Sequence, residues 1–134
     1  MAAPFKIEFV SPERVLLSGE ATEVVVPGAE GDFTVLAGHA PLISALRPGI
    51  IEIRQDSGRR RIYVRGGFAE VDPTQLTILA QNLVDVTSAD PSAIAEEMRV
   101  AEAMLASATD DMSRMLAHDA IAALKSLGSS RAAA

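Results

Sequence analysis

From residue 5 onward, apolar and polar side chains alternate. In FKIEF, Phe5, Ile7 and Phe9 fall on one side and Lys6 and Glu8 on the other, the period-two pattern of a strand with one buried face. Comparable runs recur at TEVVV, DFTVL, GIIEIRQ, RRIYVRG, FAEV and LTILA. Turn chemistry separates them at Pro27-Gly28, Glu30-Gly31, Pro48-Gly49, Asp56-Ser57-Gly58 and Asp72-Pro73. IIEIRQDSGRRRIYV reads as a hairpin in which Ile51 and Ile53 answer Ile62 and Val64 across the Asp-Ser-Gly turn. Many short strands between turns predict an all-β sandwich or barrel.

Near residue 88 the period changes from two to that of a helix. Ile94, Met98, Ala101 and Leu105 make one apolar face; Met112, Leu116, Ala120, Ala123 and Leu127 make a second. Asp90 or Ser88 caps the first helix, Pro91 suits its first turn, and Glu96 and Glu97 complement its N-terminus. Ser107-Ala108-Thr109 interrupts, and Thr109 is a candidate second cap before Asp110 and Asp111. Lys125 falls in the last turn and Gly128 marks a stop, leaving 129–134 as a frayed tail. The expectation is a β domain over 1–87 followed by an αα-hairpin over 88–134. Its stripes are rich in Ala and Met and poor in large side chains, so the hairpin must lean on its own sandwich or on a partner, and an element held so weakly can move.

Composition sharpens this division. All five aromatics and eight of the nine glycines precede residue 88, and the last proline is Pro91. Charge does not separate the halves: residues 1–85 carry eight cations against eleven anions, and the rest carry four against seven. The net charge of −6 argues against nucleic acid and against direct binding to anionic lipid. The one basic cluster, Arg59-Arg60-Arg61, reads as a solvated hairpin tip. With no cysteine, disulfides, thiolate zinc sites and cysteine nucleophiles are all excluded. No run approaches the roughly 18 apolar residues of a membrane span, and MAAPFKIEFV lacks the grammar of a signal peptide.

Catalytic chemistry is hard to assemble from these residues. There is no phosphate loop, dinucleotide fingerprint, HExxH or EF-hand spacing, and no serine sits in an elbow motif. His39 and His118 lie in different halves, so a metal site would need carboxylates without recognisable spacing, and none is expected. His118, among Met115, Leu116 and Ile121, reads as a partly exposed helical histidine. No catalytic residue and no cofactor is assigned. Composition and spacing alone lead to a β domain with a helical hairpin that binds partners.

Three segments add to this. GAEGDFTVLAGHAPLISALRPGIIEI, YVRGGFAEVDPTQLTILAQ and the opening FKIEFVSPERVLLSGEATEVVVPG together resemble the epsilon subunit of F-type ATP synthases, equivalent to the mitochondrial delta subunit. The similarity spans nearly the whole chain, including a helical tail of matching length. It implies a sandwich of about ten strands followed by a helix-turn-helix. It also implies a non-catalytic central-stalk rotor subunit, present once per complex and monomeric in isolation, bound to gamma and to the ring of c subunits. Such a subunit couples proton flow to ATP synthesis and lies peripherally on the cytoplasmic face of a bacterial inner membrane or, alternatively, on an organelle's energy-converting membrane.

The resemblance also distributes roles. It places Glu30, Gly31 and Asp32 against the polar loops of the c ring, with Gly31 permitting positive φ. It places Gly38, His39 and Pro41 near gamma and the stalk foot, where His39 either holds the turn or touches the partner. Some family members bind ATP through an (Ile/Leu)-Asp-x-x-Arg-Ala motif, which here reads Ala95-Glu96-Glu97-Met98-Arg99-Val100 and keeps only Glu96 and Arg99 as degenerate candidates. In the family the hairpin can also extend toward the alpha and beta subunits and brake rotation. This tail nets −3, which predicts a mild brake or none. A free-standing adaptor using the hairpin as its partner helix is the competing reading.

Overall fold

A computed structural model describes residues 3–87 and 90–133, with side-chain surroundings through residue 127. Among these residues there are ten strands and two helices. The strands are β1 (Phe5–Ser11), β2 (Arg14–Ala21), β3 (Glu23–Gly28), β4 (Gly31–Val35), β5 (Leu42–Leu46), β6 (Gly49–Gln55), β7 (Gly58–Val64), β8 (Gly67–Asp72), β9 (Gln75–Leu79) and β10 (Leu83–Asp85). The helices are α1 (Pro91–Ser107) and α2 (Asp111–Ala133). Seven strands follow the alternating runs. The other three, β2, β5 and β10, carry no clean alternation: β2 is an edge strand exposed over much of its length, β5 turns Ile43 to solvent, and β10 has three residues.

Hydrogen bonding runs in the order β10-β7-β6-β3-β5-β8-β9-β1-β2, with β4 paired to β3. All pairings are antiparallel except β1 with β9, which run parallel. A single pair, Gly28 with Leu46, joins β3 to β5, so the sheet folds there into two layers. Their inner faces enclose one core in which Phe5, Ile7, Phe9, Val24, Val26, Ile51, Ile53, Ile62, Leu76 and Ile78 are buried. The β6–β7 hairpin departs from expectation in register. Ile51 faces Ile62, but Ile53 faces Arg60 and Val64 faces Gly49. Gln55 pairs with Gly58, so the loop is the two residues Asp56-Ser57, and that length sets every pair above it.

A second, smaller core lies outside the sandwich. Tyr63 and Val86, with Ile50 and Val84, present apolar surface outward from β6, β7 and the β10 region, and the hairpin covers them with Ala101, Ala120, Leu124 and Leu127. That is why Ile62, Tyr63 and Val64 are buried in succession: β7 is covered on both faces. Ala101, Ala117 and Ala120 are buried in the hairpin, and such small side chains let helices approach closely.

The helix ends differ from expectation in detail. Asp90 is the α1 cap, its carboxylate accepting from the Ser92 N–H at 3.0 Å; Ser88, the other candidate, lies outside the described residues. The first turn of α1 holds no acidic residue, so Glu96 and Glu97 fall too late to meet the helix N-terminus. Asp110, not Thr109, caps α2 by accepting from the Ser113 N–H at 2.7 Å, because the helix begins one residue later than a Thr109 cap requires. Met112 is exposed, so the buried stripe of α2 runs instead through Ala117, Ala120, Leu124 and Leu127. Nor does the helix stop at Gly128: α2 continues to Ala133, which leaves Lys125 in its interior. A helical glycine costs only about 1 kcal/mol relative to alanine, too little to end a helix by itself.

Candidate partner-docking site

The tripeptide at 30–32 sits at the tip of the β3–β4 hairpin. Gly28 pairs with Gly31, so Ala29 and Glu30 form the turn, and both are exposed. Gly31 takes φ +138°, open to glycine at little cost. Asp32 turns back along the surface and forms an ion pair with Arg47, just beyond β5. Two backbone bonds reinforce that link: the Arg47 N–H donates to Pro27 at 3.0 Å and the Ala29 N–H to Ala45 at 2.8 Å. The loop is thus a tethered acidic corner. Arg47 shares the charge of Asp32, and Glu30 stands at the exposed tip.

The histidine bend is a second anchored turn. The His39 N–H donates to the Leu36 carbonyl at 3.1 Å, and Gly38, at φ +81°, donates its N–H to the Pro73 carbonyl at 2.8 Å. The bend is thereby fastened to the β8–β9 turn, whose Asp72 carboxylate accepts from the Thr74 N–H at 2.8 Å and from its hydroxyl at 3.0 Å. Those bonds hold the Asp72 carboxyl below the usual carboxylate range. His39 Nδ1 lies 2.7 Å from the Ala40 carbonyl, so this nitrogen carries the proton and donates locally. Its half-buried ring stands 6.4 Å from the Phe33 ring, centroid to centroid. Phe33, on β4, therefore links the bend to the acidic hairpin. Pro41 is exposed just before β5.

Glu96 and Arg99 are not brought to either turn. They lie on the exposed side of α1 and grip one another, with Nε–Oε2 at 3.0 Å and the second contact at 2.7 Å. This bidentate pair lowers the Glu96 carboxyl and raises the Arg99 guanidinium from their ordinary values. The basic hairpin tip is likewise paired in part: Arg59 meets Glu52 at 3.0 Å, and Arg60 reaches Asp85. His118 is exposed on α2. Among the described residues, no group of three or more histidines or carboxylates is arranged to hold a metal ion.

One surface escaped the sequence reading. On the outer face of the β5-β8-β9-β1 layer, register aligns Ala45 with Phe68, Phe68 with Leu79, and Leu79 with Val10. Ile43 adds to the same face one row away. Ile43 is 71 % exposed, Phe68 55 % and Leu79 44 %. A groove of about 580 Å³, walled by Val10, Pro12, Phe68, Leu79 and Ala80, continues the row toward Arg65. Alternation predicts polar side chains at outward positions, and Ile43, Phe68 and Leu79 break that rule in three neighbouring strands. Seeing the clash from sequence requires the strand order, which places the three side by side.

The described residues thus form a ten-stranded β-sandwich with a helical hairpin on one outer face and bare apolar side chains on the other. Residues 4–86 match the family described as ATP synthase, Delta/Epsilon chain, beta-sandwich domain. The chain is 46 % identical over 128 residues to the ATP synthase epsilon chain of Parvibaculum lavamentivorans, covering 95 % of this chain and 97 % of that one. It is 41 % identical over 128 residues to the epsilon chain of Mesorhizobium japonicum, covering 95 % of each. It belongs to the ATP synthase delta/epsilon chain family. Its fold also resembles a chain in the Euglena gracilis mitochondrial ATP synthase structure of OSCP, F1 and c-ring, with a TM-score of 0.69 at 23 % identity, covering 96 % of this chain and 81 % of that one. A second likeness, at TM-score 0.64 and 13 % identity, is to a chain in the central stalk and c-ring of the Tetrahymena thermophila enzyme, covering 91 % of this chain and 94 % of that one.

Proposed function

We propose that this chain is a non-catalytic rotor subunit of an F-type ATP synthase, transmitting torque between a gamma subunit and a c ring while making no bond in the substrate. The observation that carries the reading is the apolar row Phe68–Leu79 with Ile43, left bare on one outer face while the hairpin covers the other. Exposed apolar surface of this kind is stable in water only at a cost, and burial against a partner removes it. Gamma takes that face and the adjoining bend at Gly38, His39 and Pro41. The c ring takes the corner at 30–32, where Glu30 presents its carboxylate at the tip and Asp32, shared with Arg47, holds the loop in shape.

In this reading the chain works as two domains, 1–87 and 88–134, in one copy per complex, peripheral on the cytoplasmic face of a bacterial inner membrane. No helix among the described residues is long and apolar enough to cross a membrane. The hairpin acts as a mild brake at most. Its acidic surface offers little to an acidic partner, and Glu96 and Arg99 already satisfy each other.

The test is co-purification from detergent-solubilised membranes. The tagged chain is expected to bring down gamma and c-ring proteins, and Ile43→Glu with Phe68→Glu is expected to abolish their recovery while the free variant keeps its fold. Recovery of the unsubstituted chain alone, or full retention of partners by the variant, overturns the proposal.

A further inference from the structure

Three buried side-chain polar atoms lack a hydrogen-bond partner among the described residues: Tyr63 Oη, Arg65 Nε and Glu97 Oε1. All three lie where α1 meets the end of β7. Tyr63 lies on β7, Arg65 follows directly after the strand's last residue, and Glu97 comes from α1. Arg65 Nε approaches Glu97 Oε1 to 3.2 Å, inside ion-pair range but not aligned as a hydrogen bond. Their side chains are 24 % and 14 % exposed, the most enclosed ion pair among the described residues. Burial first, and the Glu97 carboxylate second, push the Tyr63 phenol up to about 12, with Arg65 opposing, so the hydroxyl stays neutral. Around this spot the contact is apolar, made by Ile94, Met98 and Ala101 from α1 and by Ile50 and Val84 from the sheet.

Tyr63 Oη, buried without a partner, has lost its water and gained nothing in return, and Arg65 and Glu97 are half-dry charges that hold each other without an aligned hydrogen bond. When α1 lifts, water returns to all three atoms at once. Lifting is therefore cheaper than the apolar contact alone would make it. The charge pair still gives the seated hairpin a register, because removing either partner strands the other charge in a half-dry site.

We infer that Tyr63, Arg65 and Glu97 form a polar latch that sets how tightly α1 is seated at the end of β7. The inference deepens the regulatory part of the proposed function but is tested on the free chain, so either can fail without the other. Two kinds of substitution must move α1 in opposite directions. Glu97→Gln leaves Arg65 unpaired and loosens the helix. Arg65→Met with Glu97→Leu replaces the pair by apolar side chains of similar size and tightens it, and Tyr63→Phe, which removes only the unpaired hydroxyl, tightens it as well.

The measurement is amide hydrogen exchange across 91–107 in the full-length chain, with the sandwich amides as internal reference. A label-to-label distance gives a second readout: the chain has no cysteine, so Glu13→Cys and Glu102→Cys, both at exposed positions, provide unique attachment points. In Glu97→Gln, α1 exchange is expected to accelerate about tenfold, with a longer or broader label distance; in the apolar double variant it is expected to slow by about as much. Tyr63→Phe should fall on the slow side. Sandwich exchange should hold constant throughout. Any result in which the Glu97→Gln and apolar double variants fail to move α1 in opposite directions overturns the latch, as does equal acceleration of the sandwich amides.

Discussion

Gly67→Ala probes the joint from which the apolar face is hung. Gly67 begins β8, immediately before Phe68, and its φ is +131°. A side chain in that region costs roughly 1–3 kcal/mol in backbone strain alone. A Cβ there would also meet the Leu79 carbonyl oxygen at 2.2 Å and the Ala80 Cα and Cβ at 2.9 Å, all on or beside the paired strand β9. Neither neighbour is the far end of a flexible side chain, so relief requires parting β8 from β9 and losing about two ladder hydrogen bonds, near 1 kcal/mol each. The total is about 3–5 kcal/mol, a large share of the roughly 5–15 kcal/mol that holds a domain together. Gly58→Ala supplies the control. Its φ of +134° is nearly the same, but nothing lies within 4 Å of the added atom. Urea unfolding of both variants, followed by circular dichroism at 25 °C, isolates the steric part as the difference between them. Gly67→Ala is expected to lose about 2 kcal/mol more than Gly58→Ala; equal losses refute the reasoning.

Two further outcomes follow from charge. Asp72, Asp85, Asp90 and Asp110 all have carboxyls held below their ordinary range; at Asp85 burial pushes upward, but bonds from Thr87 and Arg60 outweigh it. A depressed folded-state pKa contributes stability that is complete above the unfolded value, near 4, and disappears as pH falls through the lower folded values. The urea midpoint should therefore stay level above about pH 5 and drop below about pH 4, less steeply in Asp85→Asn; a midpoint that rises on acidification contradicts this. At the acidic corner, Asp32→Arg sets two cations side by side with Arg47. Because the pair is solvent-exposed, folding should shift by no more than about 1 kcal/mol, while proton-driven ATP synthesis in inverted membrane vesicles should fall. Unchanged synthesis and unchanged inhibitor sensitivity count against the corner as a c-ring contact.

How far each feature could be read in advance depends on its range along the chain. Seven strands were legible because alternation is a local signal. β2 and β5 were not, since their burial is decided by which neighbours they receive. The Glu30–Asp32 turn and the Gly38–Pro41 bend were legible as turns from their glycines and proline. That Asp32 spends its charge on Arg47, fifteen residues on, and that Gly38 is tied to Pro73, could not be read from local pattern. The helix caps were placed only to within a residue, because Thr109 and Asp110 are both chemically able and only the start of the helix chooses between them.

The chain's own order of residues determined the change from period two to helical period near residue 88, the lack of thiol chemistry and the family to which the protein belongs. Each of these depends on neighbours in sequence or on composition. Tertiary structure decided which outward positions became a bare apolar row, which face of β7 the hairpin covers, and where Arg65 meets Glu97. Those outcomes join residues from separate strands and helices, and only chain folding brings such groups within the few ångströms over which packing and charge act.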